Sequence, residues 1–479
     1  MTGRGFPLLV LALLVAGCAA PNEVDTATTD GTASSADGAD AVIAFIDEGI
    51  NPYHVAFRDD SPRAKQHPST YLPTYPANAK PLHLSLHIED LEDAIVADCA
   101  VWAEVVPETL YYVPGTRIVG MYMAPNSWLT GIFEYGDARY TCGGDPEEDG
   151  YPLVGFGFGH GTMVASRAAG NGYGACPTCL IVMVQHFGPE AVAWASEQPW
   201  IDVQSNSWGP LLPLYFPVGA AERAFGSDAE FLRAVEAAAA RQPAFWASGN
   251  GALFRFGVLG HPTQLAPHFT PSMIRVGGHD SGRVAVWPGS TPHVVSDACW
   301  SWAAEHYDTK EETARSGGGT SAATPFVAGI AAAVVKEARA ILGDPATGIV
   351  GGVLARGENA PAEGPLADGD LTVAELRALL FATADPRPDR IHEDGDVCEP
   401  TSDPFNALYP GTPVEWRSVP EGAPAVPLVG YGAVDPTTLE RMRAVLRGDE
   451  PLPARGLEDA FFEADAAYHA AKYDALARR

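Results

Sequence analysis

Residues 317–329 read GGGTSAATPFVAG, and the rest of the chain is organised around them. Three glycines free the backbone for a tight turn, and the alanine- and valine-rich run that follows has the composition of a helix reaching about Lys336. Thr320 and Ser321 therefore stand at a helix entrance, where backbone N–H groups are unpaired and the dipole favours developing negative charge. A hydroxyl in that place reads two ways. Ser321 is either an N-cap or a nucleophile with an anion-stabilising helix end beside it.

Upstream of it, PAFWASGNG (243–251) reads as a short strand and a glycine turn presenting Asn250, and MIRVGG (273–278) as a further strand. GSDAEFLRAVEAAAARQ (226–242) has the pattern of a helix capped by Ser227 or Asp228. LIVMVQ (180–185) and the residues leading into SNSWG (205–209) read as buried strands. GFGFGHGTMVASRAAGN (155–171) invites a dinucleotide-loop reading, but the G-x-G-x-x-G register fails at His160 and Thr162. What remains is a glycine loop that delivers His160 to a small-residue helix. AVIAFID (41–47) is a continuous apolar run, the pattern of a central parallel strand, and it puts Asp47 at the carboxyl end, where ligands gather in open α/β sheets. Such alternation predicts an α/β fold with a mostly parallel central sheet flanked by helices.

Other stretches are less regular. Residues 55–150 are rich in proline with poor periodicity and read as an inserted, disulfide-tied excursion from the sheet, with 90–106 helical. HLSLH (83–87) has metal-like histidine spacing only if helical, and no carboxylate stands in a recognised frame beside it. Residues 343–370 read as a Gly/Pro/Ala-rich linker, 371–384 as a helix capped by Thr372 or Asp370, and VGYGAVDP (429–436) as a turn. Residues 441–479 read as a helical tail.

The N-terminus carries Arg4, an apolar run from Phe6 to Val15 and the sequence LVAGC, which resembles a bacterial lipobox in which Cys18 is lipidated. Residues 19–40 follow as a flexible tether. The expected location is outside the cytoplasm, anchored to a membrane through Cys18 or secreted. Six further cysteines fit an oxidising compartment, and their pairing is left open, with a disulfide favoured over zinc or redox chemistry for CPTC (176–179). A net charge of −30 argues against nucleic acid as a partner.

Asp47, His160, Asn250 and Ser321 thus fall on separate loops over one sheet edge. A serine nucleophile needs a histidine to take its proton, the histidine needs a carboxylate to hold its tautomer, and the oxyanion needs fixed donors. DEG (47–49), GHGTMVASRAAGN (159–171), ASGN (247–250) and GTSAATPFVAG (319–329) resemble the four signature blocks of the subtilisin-like serine peptidases. The resemblance covers roughly residues 41–48 and 155–440, and the Asp–His–Ser order is the one known in subtilisin. It implies a subtilisin-like three-layer sandwich and a serine endopeptidase. Ser321 would be the nucleophile, His160 the base, Asp47 its orienter and Asn250 the oxyanion donor, with substrate laid along Ser207, Trp208 and Gly209. Protein or peptide substrates follow from it. No cofactor is required for the chemistry, and structural calcium is common in the family, although no motif here names its ligands.

The sequence departs from the family pattern in three places. Glu48 replaces the usual Ser or Thr after the aspartate, Met163 stands where a second histidine is common, and Ala322 replaces the frequent methionine after the serine. Residues 19–40 are too few for a folding pro-domain, so folding without one is expected. The competing readings are an inactive member of the fold serving as a surface binding protein, and an α/β-hydrolase esterase. The second is disfavoured because Gly319–Ala323 reads G-T-S-A-A, not G-x-S-x-G. A sedolisin-like peptidase would have glutamate in place of His160.

Overall fold

The first strand, β1 (Val42–Asp47), is buried along its whole length, as a continuous apolar run requires of a strand covered on both faces. The computed structural model describes residues 40–124, 159–185, 188–208, 228–248, 273–280, 283–286, 292–298, 301–304, 313–344, 348–349, 351–385 and 430–454. Within them follow the strands β2 (Lys80–Pro81), β3 (Tyr111–Tyr112), β4 (Ile118–Met123), β5 (Leu180–Gln185), β6 (Val203–Asn206) and β7 (Ala244–Ala247). After these come β8 (Ile274–Asp280), β9 (Arg283–Val286), β10 (Val294–Asp297), β11 (Ser301–Ala304), β12 (Thr313–Gly317), β13 (Val353–Arg356) and β14 (Asp370–Thr372). The helices are α1 (Leu91–Ala97), α2 (Cys99–Trp102), α3 (His160–Ala169), α4 (Pro189–Glu197), α5 (Asp228–Arg241), α6 (Thr320–Leu342), α7 (Val373–Thr383) and α8 (Pro436–Arg447).

Ten strands form one sheet in the order β10-β8-β7-β6-β1-β5-β4-β3-β2, with β9 paired to β8. All its pairings are parallel except β3 with β4 and β8 with β9. β1 lies at the sheet's centre, where the strand order switches from one flank to the other.

Side-chain alternation makes two cores. Ile43 and Phe45 of β1, with Ile181 and Met183 of β5, pack with Val164 and Ala165 of α3 and with the apolar side of α6. Val42, Ala44 and Ile46 pack on the other face with Ala191 and Val192 of α4 and Val235 and Ala238 of α5. Each large apolar side chain so buried contributes about 1.5–3 kcal/mol over leaving it exposed. The result is the expected three-layer α/β arrangement.

The sequence reading is corrected in four places. Residues 55–124 do not leave the sheet, because β2, β3 and β4 extend its edge beside β5. Two of these strands are only two residues long, which leaves no periodicity to read. The helix expected over 90–106 breaks at Asp98, whose carboxylate accepts the Tyr53 hydroxyl at 2.9 Å and the Ser85 hydroxyl at 2.6 Å. The stretch 343–370 is no plain linker, since β13 pairs antiparallel with β14. Finally, α6 runs past Lys336 to Leu342 and stops on Gly343 in the left-handed conformation (φ 73°). Residues 83–87 are not helical, so the condition for a metal-binding histidine pair there is not met. Thr372 caps α7 through a reciprocal bond with Glu375. Cys176 and Cys179 are joined by a disulfide, and Cys99 is also disulfide-bonded. Cys18, the lipobox and the tail beyond 454 lie outside the described residues, and none of the described helices is long and apolar enough to cross a membrane.

The extra turns of α6 hold a buried ion pair. Arg339 donates from Nη1 to Asp202 Oδ2 at 2.9 Å and from Nε to the Leu354 carbonyl at 3.1 Å. Asp202 Oδ2 also accepts the Val42 amide at 2.8 Å. This cluster fastens the end of α6 to the starts of β1 and β6. Arg339→Ala is expected to cost about 3–5 kcal/mol in urea unfolding, because the buried Asp202 carboxyl is left without its partner. A loss below about 1 kcal/mol would show the pair to be dispensable.

Candidate active site

The parallel register pairs Phe45 of β1 with Ser205 of β6, so Asp47 and Ser207 follow two residues later at the same end of neighbouring strands. Alternation turns Asp47 to the face of Ile43 and Phe45, toward α3. It turns Ser207 to the face of Val203, toward α6. Helices α3 and α6 pack on each other and begin at this same edge. Both have a glycine N-cap with positive φ, Gly159 at 66° and Gly319 at 73°, a turn that lets His160 and Ser321 enter the first helical turn without steric penalty.

Asp47 is 1% exposed, and the His160 side chain 26%. His160 Nδ1 lies 2.9 Å from Asp47 Oδ1 and 3.0 Å from Oδ2. An ionised carboxylate only accepts, so Nδ1 carries the proton and Nε2 is the nitrogen left to accept one. Burial disfavours the imidazolium. The Asp47 charge and hydrogen bond, aided by the Glu48 charge, outweigh that and raise the His160 pKa to about 9. Burial also raises the Glu48 carboxyl to about 7, against the pull of His160 and with the push of Asp47.

Ser321 is the second residue of α6, and the cap position belongs to Gly319. The cap reading of Ser321 is therefore overturned. Its hydroxyl donates to the Ser207 carbonyl at 3.1 Å, while the Ser207 hydroxyl donates to the Ser321 carbonyl at 3.0 Å. The second bond has a cause in the sequence. Pro325, four residues on and inside the helix, has no N–H for the Ser321 carbonyl. The signal for this was legible, yet the role of the Ser207 side chain was missed. A double-mutant cycle tests it. Ser207→Ala is expected to cost about 1–2 kcal/mol in unfolding free energy. Pro325→Ala, which restores an amide donor, should stabilise the Ser207→Ala background more than the native one. Equal effects in both backgrounds would break the link.

Trp208 follows Ser207, partly buried, with its ring 5.0 Å from that of Trp246, whose indole N–H donates to the Trp208 carbonyl. Asn250 and Gly209 lie outside the described residues. A second unforeseen contact is the bond from the Asn51 amide to Thr162 Oγ1 at 2.9 Å, which ties the loop after β1 to α3. Among the described residues one carboxylate trio, Asp368, Asp370 and Glu375, has the spacing of a metal site. Glu375 already accepts the Thr372 amide and hydroxyl at 2.8 and 2.7 Å, so helix capping accounts for its placement.

No curated protein matches the chain. Among solved structures, the protease domain of PatA is 14% identical, with 87% of this chain and 99% of that one covered and a TM-score of 0.39. A lanthipeptide protease is 13% identical, with 84% and 87% covered and a TM-score of 0.41. The epidermin leader peptide processing serine protease EpiP from Staphylococcus aureus is 15% identical, with 85% and 76% covered and a TM-score of 0.38. The sequence profile of the subtilase family, peptidase family S8, matches residues 38–396, a span that contains Asp47, His160 and Ser321. With most of its length under that profile, this chain belongs to the subtilase family.

Proposed function

We propose that the chain is an exported serine endopeptidase that hydrolyses peptide bonds through an acyl-enzyme on Ser321. His160 Nε2 takes the Ser321 proton as Oγ attacks the carbonyl carbon, then passes it to the leaving amine as the C–N bond breaks. Water repeats the sequence on the ester and frees the carboxylate product. Asp47 remains ionised throughout, holding the tautomer and stabilising the imidazolium. The Asn250 amide and the Ser321 N–H at the helix start would receive the oxyanion. Substrate backbone would add as a strand along Ser207–Gly209. Cys18 would carry the lipid anchor.

The observation that supports this reading most is the contact of both Asp47 oxygens with His160 Nδ1, beside a helix whose first turn carries Ser321. Peptide-library digestion tests it. The expected result is cleavage at internal bonds, blocked by a fluorophosphonate, retained with chelator, and sedimenting with membranes unless Cys18 is replaced. Failure to cut any peptide would leave the chain a binding member of its family.

A further inference from the structure

The carboxylate next to Asp47 has no part in the steps above. Glu48 directly follows Asp47, and its amide donates to Asp47 Oδ1 at 2.8 Å. Its side chain is half-buried, and Oε2 is shielded from solvent without a hydrogen-bond partner. A carboxylate held this way is unfavourable unless a charge offsets it.

The local packing supplies that charge. A Cβ on Gly161, the residue after His160, would come within 2.0 Å of the Gly49 carbonyl, so the loop after β1 rests directly on the first turn of α3. Two residues further on, the Asn51 amide is bonded to Thr162 Oγ1 at 2.9 Å. Glu48 is thus pinned between the aspartate and the histidine-bearing turn. The charged groups acting on it are His160 of α3 and Asp47 of β1, and those acting on His160 are Asp47 and Glu48, with no others among the described residues.

We propose that Glu48 is a second acidic partner of His160, a positioning residue that stabilises the imidazolium and moves the enzyme's working range to alkaline pH. The proposal takes His160 as the general base, as above. One carboxylate already balances the imidazolium charge, and a second leaves a net negative site that holds the proton longer. The two groups titrate as a pair, Glu48 near 7 and His160 near 9. Below the first midpoint Glu48 is neutral and Asp47 alone holds the imidazolium. Between the two both carboxylates hold it, and above the second Nε2 is free to accept the serine proton. The rising limb of kcat/KM therefore lies in the alkaline range.

The test is a pH titration of the His160 ring by NMR, on full-length protein carrying 13C-histidine, with the signal identified by its loss in His160→Gln. The midpoint is expected near 9 in the native chain. In Glu48→Gln and Glu48→Ala it should fall by about one pH unit or more, while Glu48→Asp holds it within about half a unit of native, as expected of a nearby charge. Two neutral variants guard against one that misfolds. A midpoint unmoved in the neutral variants overturns the proposal. The titration needs no substrate, so failure of the peptidase reading shows separately, as absence of fluorophosphonate labelling on a protein whose His160 still responds to Glu48.

Discussion

Ser321→Ala is expected to lower kcat for peptide hydrolysis by about 10⁶-fold, the loss that subtilisin suffers when its own serine is removed. The reason lies in where the residue sits. In the proposed mechanism Oγ is the atom that forms the acyl bond, and the methyl group left behind cannot be acylated. The helix start, the proposed oxyanion donors and the proposed substrate contacts along Ser207–Gly209 would all persist, so a residual rate about 10³–10⁴ above that in water should remain. KM should change little, since none of the proposed backbone contacts to substrate uses the Ser321 hydroxyl. Steady-state kinetics on a library-selected peptide measures both. A variant that keeps more than about 1% of native kcat would place the nucleophile elsewhere.

Asp47→Asn is expected to cost about 10⁴ in kcat, again with KM nearly unchanged, by analogy with the same change in another serine peptidase triad. Asp47 accepts two donors in the native chain, the His160 Nδ1–H and the Glu48 amide. Asparagine keeps one acceptor oxygen and turns the other position into a donor. With the oxygen still bonded to the Glu48 amide, the NH₂ faces the imidazole and draws Nδ1 into accepting. The proton then sits on Nε2, where it blocks the acceptance of the serine proton. Losing the carboxylate also removes the principal charge that stabilises the imidazolium. A loss below about tenfold would mean that the two-oxygen contact with His160 is only structural.

Much of this arrangement was legible in the sequence, for identifiable reasons. The run VIAFID is apolar on both strand faces, which only a central strand tolerates, and β1 sits at the centre of the sheet. Glycines before His160 and Ser321 announce helix starts, and α3 begins at His160 while α6 begins one residue before Ser321. Where the reading failed, the local pattern was thin or misleading. α6 runs past Lys336 because Arg339, a charge that local pattern would leave in solvent, is 2% exposed and paired with Asp202, a partner far away in sequence. Strands β2, β3 and β14 are two or three residues long and have no alternation to detect. The Ser207–Ser321 bonds join residues from different elements, so only the fold brings them together. Glu48 was visible as a departure from the family pattern, but whether it bears on His160 depended on how the loop packs on α3.

The most direct measurement is to treat the intact protein with a fluorophosphonate, digest it with a second protease and locate the adduct by mass spectrometry. The account predicts a single modified peptide containing Ser321, formed faster as pH rises toward about 9 as His160 loses its proton, and absent in Ser321→Ala. Native protein that stays unlabelled across that pH range, or that carries the adduct on another serine, would contradict it.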